Sequence, residues 1–361
     1  MSALERFFPD ARLTELGKIK IGGKSAQVRT SAGGNKWRAP EKHDYFTITT
    51  MNRSADGDLV PDTATMEQLK GQFGDPDGKL RQIPIYVLSN DIDDILQVAY
   101  LWYGGKSVAA RSDGLKVTWF YDRTNGRRLA APIEEDWKPE FLELKNSKGQ
   151  NLFKKHSVFN CVMGAQEARF GGVYRFRTTN VITSQQLYQS LVLLSQHTGG
   201  ILTGLPLMLV VRPVQVSPEG KTTTVYVVHV EMRGQDILAI QDRALRIAQH
   251  QLANRQTIIS VQSQYRALLA PPGTESDAEA ADIAEEFQPE TADDLPPPPA
   301  LDDTWAGVLE GKQPEPAKAK EPDKGLSDAV IGEVLQSMAN DTSLPPITDS
   351  GNTQDDDVLL Y

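Results

Sequence analysis

From residue 271 the chain stops supplying material for a core. The stretch "PPGTESDAEAADIAEEFQPETADDLPPPPALDD" crowds in acid, proline and alanine where aliphatics would be needed. Such a segment buries too little apolar surface to offset its conformational entropy. Residues 1–270 are therefore the expected folded body. Residues 271–361 are the expected disordered, acidic, proline-rich tail, with "PPPP" at 296–299 as a stiff spacer. The charge divides at the same boundary. Residues 1–270 carry 34 basic against 26 acidic side chains, a net +8; residues 271–361 carry 4 against 22, a net −18, and the two give the chain's −10. A basic body tied to an acidic tail points to nucleic-acid work. Two islands interrupt the tail: "TWAGVL" around Trp305, and "LSDAVIGEVLQSMAN" at 326–340, where Val330, Val334 and Met338 recur at helical spacing. A helix that short is marginal alone, so the second island reads as a partner motif.

Cys161 is the single cysteine, which excludes an intrachain disulfide and fits a reducing cytoplasm. The opening "MSALERFFPD" lacks the apolar stretch of a signal peptide. The longest apolar run, "GLPLMLVV", falls well short of the roughly 20 residues that cross a bilayer, so no membrane association is expected.

The body reads as α+β. In "GKIKIGG", Ile19 and Ile21 alternate with Lys18 and Lys20, the pattern of a half-buried strand with a basic outer face. Residues 81–89, 98–114 and 116–123 read as further strands with glycine turns, and "VYRFRTT" puts Tyr174 and Phe176 on one face and Arg175 and Arg177 on the other. A helix fits "TSQQLYQSLVLLSQHTGG", capped by Thr183 or Ser184, with Leu187, Leu191 and Leu194 on one face and Gly199 as its stop. "LPLMLVVRPVQV" and "TTTVYVVHVEM" form a strand pair around "SPEGK", and a long helix follows "RGQD" to about Tyr265. Strands first and helices late give a strand-rich body with one mid helix and one long C-terminal helix.

Signs of catalysis are lacking. No Walker loop, GxGxxG after a strand, GxSxG elbow or HExxH is present. His43, His156, His197, His229 and His250 are scattered, and none pairs with Asp, Glu or Cys at ligand spacing. His229 reads as a satisfied core histidine, Cys161 as buried, and Asp91 and Asp94 of "DIDDIL" as a capped turn rather than a metal site. The chain reads as non-enzymatic, with no cofactor and no metal.

Binding is better supported. Basic and aromatic residues interleave in "NKWRAPEKHDYF", "AYLWYGGKSVAARSDG", "KVTWFYDRTNGRR" and "ARFGGVYRFR". Non-specific binders of single strands use this pairing, cations tracking phosphates while rings stack on bases. The phosphate candidates are Lys18, Lys20, Lys36, Arg38, Lys106, Arg111, Lys116, Arg123, Arg127, Arg128, Arg175 and Arg177. The stacking candidates are Trp37, Trp102, Trp119, Tyr121, Tyr174 and Phe176. Gly104, Gly105, Gly171 and Gly172 would let the backbone approach a bound strand.

The final "QDDDVLLY" resembles the C-terminal tip of bacterial single-stranded-DNA-binding proteins, in which an acidic run precedes a few apolar residues and the free carboxylate. The resemblance implies a motif at 353–361 in which Asp355, Asp356, Asp357, Val358, Leu359, Leu360 and Tyr361 are captured by a replication or recombination protein. A longer resemblance covers residues 1 to about 250. "GKIKIGGK", "LWYGGKSVAARSDG" and above all "YRFRTTNVITSQQLYQSLVLLSQHTGGILTGLPLMLVVRPVQVSPEGKTTTVYVVHVEMRG" are similar to phage recombination directionality factors of the actinophage type, which associate with serine integrases and favour excision. It implies a mobile-element protein of recombination or replication.

The first expectation is a single-stranded-DNA-binding accessory protein of a phage or mobile element that recruits partners through its tip. The alternative is a recombination directionality factor acting on a serine integrase by protein–protein contact. Behind both stands a metal-dependent hydrolase, a label that some relatives carry.

Overall fold

A computed structural model describes residues 12–30, 36–55, 57–104, 107–122, 127–145, 149, 151–164, 171–216, 222–232 and 236–287. Among the described residues, 12–214 and 226–287 belong to one compact unit, and 215, 216 and 222–225 to a second. The motifs expected at 326–340 and 353–361 lie outside the described residues.

Among the described residues the architecture is α+β, twelve strands in a branched sheet with helices against it. β1 (Glu15–Thr30) pairs antiparallel with β2 (Lys36–Arg53), and the short β3 (Leu59–Pro61) edges β2. On its other side β1 runs parallel to β10 (Val173–Thr178), which pairs antiparallel with β9 (Lys154–Met163). At β9 the sheet branches. Lys154–Phe159 pair with β5 (Leu96–Gly104), which leads through the meander β6 (Ser107–Ser112), β7 (Lys116–Tyr121) and β8 (Arg128–Asp136). Val162 and Met163 pair instead with β4 (Gln82–Tyr86), followed by β11 (Leu207–Val216) and β12 (Thr223–Glu231).

Register builds the main core. Ile19 lies opposite Phe176, and Phe176 opposite Phe159, so three apolar side chains line up across β1, β10 and β9, all fully buried. Leu69 of α1 (Thr63–Phe73) and Leu187 and Leu191 of α3 (Val181–His197) belong to the same core. The cap of α3 is Asn180, whose side chain accepts from the N–H groups of Ile182 and Thr183. The expected caps Thr183 and Ser184 are instead buried in its first turn, because Asn180 supplies the acceptor three residues earlier. Asp91 caps the short α2 (Ile92–Ile95), and buried Asp94 accepts from Ser89 and Arg266, which makes "DIDDIL" a capped turn. Cys161 is buried in the main core, which pushes its thiol up to about 12.

A second core belongs to the meander. Trp119 packs edge to face with Trp102, Phe141 and Phe153, and its indole N–H donates to Glu135 at 2.7 Å. β5 buries both faces: Trp102 points into this core, while Ala99, Leu101 and Tyr103 join Ala280, Ile283 and Ala284 of α6 (Asp277–Phe287).

Two findings revise the expected C-terminal part. The expected long helix is two, α4 (Ile237–Ala253) and α5 (Arg255–Leu268), meeting at Asn254. α6 is a packed helix inside the segment whose composition reads as disordered. Ala280, Ile283, Ala284 and Phe287 recur at i, i+3, i+4 and i+7, one apolar stripe long enough to dock on β5.

Trp119→Ala is expected to cost about 3–5 kcal/mol, read by urea denaturation. Stability close to wild type would contradict its place in the core.

Candidate functional site

The strand face opposite the main core gathers cations. Alternation sends Ile19, Tyr174 and Phe176 inward and leaves Lys18, Lys20, Arg175 and Arg177 on the other side, with Lys18 directly opposite Arg175 in the β1–β10 ladder. Like charges opposed in a sheet repel, and Lys18, Arg175 and Arg177 are also withdrawn from water: Lys18 is 3 % exposed and the Arg177 side chain 7 %. Such a group persists only with counter-ions.

Carboxylates reach it from two elements. Glu15, at the start of β1, accepts from Arg175 Nη1 at 3.1 Å and from Arg177 Nη1 and Nη2 at 3.0 and 3.1 Å. Glu279 of α6 accepts from Arg177 Nη2 at 2.6 Å and lies 3.9 Å from Arg175. Further along α6, Asp282 takes both terminal nitrogens of Arg53, and Glu286 accepts from Lys20 Nζ at 2.7 Å. Glu279, Asp282 and Glu286 sit at i, i+3 and i+7, so one helix face carries all three. Gly273 lets the segment before α6 lie close on the sheet: its φ is +86°, and a Cβ there would stand 2.6 Å from Leu101 Cδ2.

The electrostatics follow from burial and these pairings. Burial alone would raise Glu15, but the guanidiniums of Arg177 and Arg175 outweigh it and hold the carboxyl below its usual value. Glu279 is raised, chiefly by burial, with Glu15 and Glu275 adding like-charge repulsion against the pull of Arg177. Burial and the neighbouring Arg177 lower Lys18. Beside them, His156 is buried against the rings of Tyr103 and Phe287, and burial pushes it down to about 3, so it is neutral at physiological pH.

The structure thus brings together Lys18, Lys20, Arg175 and Arg177 among the expected phosphate contacts, as a paired cluster beneath a helix. Arg53, Glu15, Glu279, Asp282 and Glu286 complete it and were not singled out from the sequence. Trp102, Trp119, Tyr174 and Phe176 are core members, and packing accounts for these rings without a base. Tyr121 is half-buried, its hydroxyl 2.6 Å from that of Ser107. Arg111 is half-buried on β6; Lys116, Arg127 and Arg128 are exposed. Lys36, Trp37 and Arg38 open β2, but their side chains lie outside the described residues, as do Lys106, Arg123 and Asp355–Tyr361. At Gly172 a Cβ would stand 2.4 Å from Thr14 O, so the close backbone approach there is to the chain just before β1. Among the described residues, no three His, Cys, Asp or Glu lie close enough to hold a metal, and no helix is long and apolar enough to cross a membrane.

A family model described as Gp3-like, recombination directionality factor-like, matches residues 16–233, nearly all of β1 through β12. The chain belongs to this family. Comparisons with curated proteins and with solved structures found no match. In this directionality-factor-like protein the cations of the strand face lie inside the matched region, and α6, which covers them, lies beyond it.

Because Glu15's carboxyl sits lower in the folded chain than its ordinary 4.5, its contribution is present above that value and is lost as pH falls through the folded one. Glu15→Gln is expected to cost about 3–5 kcal/mol at neutral pH by stranding buried guanidiniums. In urea melts the gap from wild type should narrow steadily below pH 4.5; a gap independent of pH would contradict the ionised pairing.

Proposed function

We propose that this protein acts without catalysis, in the cytoplasm of a bacterial host, as a recombination directionality factor that binds a serine integrase by protein–protein contact and favours excision. One observation carries the contact. Leu238, Leu245 and Leu252, seven residues apart on α4, are 72 %, 56 % and 72 % exposed, and Ile259 and Val261 of α5 are 54 % and 57 % exposed. Residues seven apart share a helix face. The opposite side of α4 is anchored to the body by buried Ala244, by Ile247 against the main core and by Gln251, which donates to Thr203 at 2.8 Å. An apolar stripe held outward in this way is a surface for a protein partner, and the family description supports an integrase as that partner.

Leu245→Asp with Leu252→Asp should leave stability within about 0.5 kcal/mol of wild type, since both side chains face water. Affinity for the serine integrase encoded in the same genome should fall by about tenfold or more, and stimulation of excision should go with it. Undiminished binding and excision would sink the proposal.

A second reading, single-stranded-DNA binding with recruitment of replication proteins by 355–361, is supported by the +8 net charge of residues 1–270 and would draw on exposed Lys116, Arg127 and Arg128. Titration with labelled oligo-dT at about 50 mM salt separates the two: salt-sensitive binding favours the second, and none favours the integrase contact.

A further inference from the structure

The face beneath α6 offers more hydrogen-bonding capacity than α6 uses. Tyr103 Oη, His156 Nε2 and the Nε atoms of Arg175 and Arg177 are buried with no hydrogen-bond partner among the described residues. Protein interiors pair nearly all such groups, so this face keeps donor and acceptor capacity that α6 does not take up. The hold of α6 is also partly in solvent: the side chains of Asp282 and Glu286 are 23 % and 32 % exposed. The cations belong to the family-matched body and α6 does not. Without α6, Arg175 and Arg177 would lose Glu279, Lys20 would lose Glu286 and Arg53 would lose Asp282, beside the apolar strip of β5 that now receives Ile283.

An apolar strip bordered by cations matches one occupant better than others. A nucleic-acid strand brings anions as phosphates but no aliphatic stripe; an acidic amphipathic helix brings anions as carboxylates together with the stripe. We propose that this face is a docking site for an acidic amphipathic helix of a partner protein, and that α6 holds it in cis as a competitor. Partner binding then requires release of α6, and apparent affinity is reduced by the fraction of molecules in which α6 is seated. The inference does not depend on the α4 stripe or on the partner being an integrase.

The test titrates a fluorescein-labelled peptide of residues 275–288 into the full chain and into its Asp282→Ala, Glu286→Ala variant, followed by anisotropy. The variant should bind about tenfold more tightly than wild type, and more weakly as salt rises. A peptide carrying Ile283→Asp should not bind, and excess oligo-dT should not displace the parent peptide. Equal or absent binding to both folded proteins overturns the proposal, and displacement by oligo-dT overturns it in favour of nucleic acid. Hydrogen exchange on the wild type decides the matter should the variant fail to fold. α6 amides should exchange about 100-fold faster or more than those of β9 and β10, and equal protection would show α6 to be a permanent part of the fold.

Discussion

The buried charge cluster of Lys18, Arg175 and Arg177 constrains much of this molecule. Sheet register leaves no freedom about their position: Phe176 and Ile19 enter the main core, so their neighbours must face the other way. Cations held so close and so dry need carboxylates, and Glu15 supplies only one. The rest comes from a helix that the sequence places about a hundred residues later. α6 therefore answers two needs at once, covering the second face of β5 with Ala280, Ile283 and Ala284 and meeting the cations with Glu279, Asp282 and Glu286.

In β10 this arrangement accounts for the interleaved basic and aromatic residues. Alternation with one face in a core and the other beside carboxylates produces the same sequence pattern as a groove for single-stranded DNA. In "VYRFRTT" the rings are core and the guanidiniums are ion-paired. Nothing local distinguishes the two cases, because the deciding partners are distant: Lys20 meets Glu286 across 266 positions, and Arg53 meets Asp282 across 229.

Elements with one buried face were legible for the same reason. β10 and α3 show period 2 and a leucine stripe, and both occur where those patterns put them. β9 was not legible. "KKHSVFNCVM" is buried over eight consecutive residues, so no alternation marks it, and His156, Ser157 and Asn160 disguise it as polar loop. β8 hides in the opposite way, an edge strand exposed along most of its length. α6 carried its apolar stripe openly, but the acid and alanine around it read as tail.

The family body and its C-terminal helices thus divide the work: the sheet presents a cationic face, α6 covers it, and α4 holds leucines toward solvent. The central claim is that α6 is bound through the sheet's buried cations, and a double-mutant cycle between Arg177→Met and Glu279→Gln, measured by urea denaturation, tests it most directly. The account predicts a coupling of about 1 kcal/mol or more between the two positions. Strictly additive losses would mean that α6 sits on this face for reasons other than its charge.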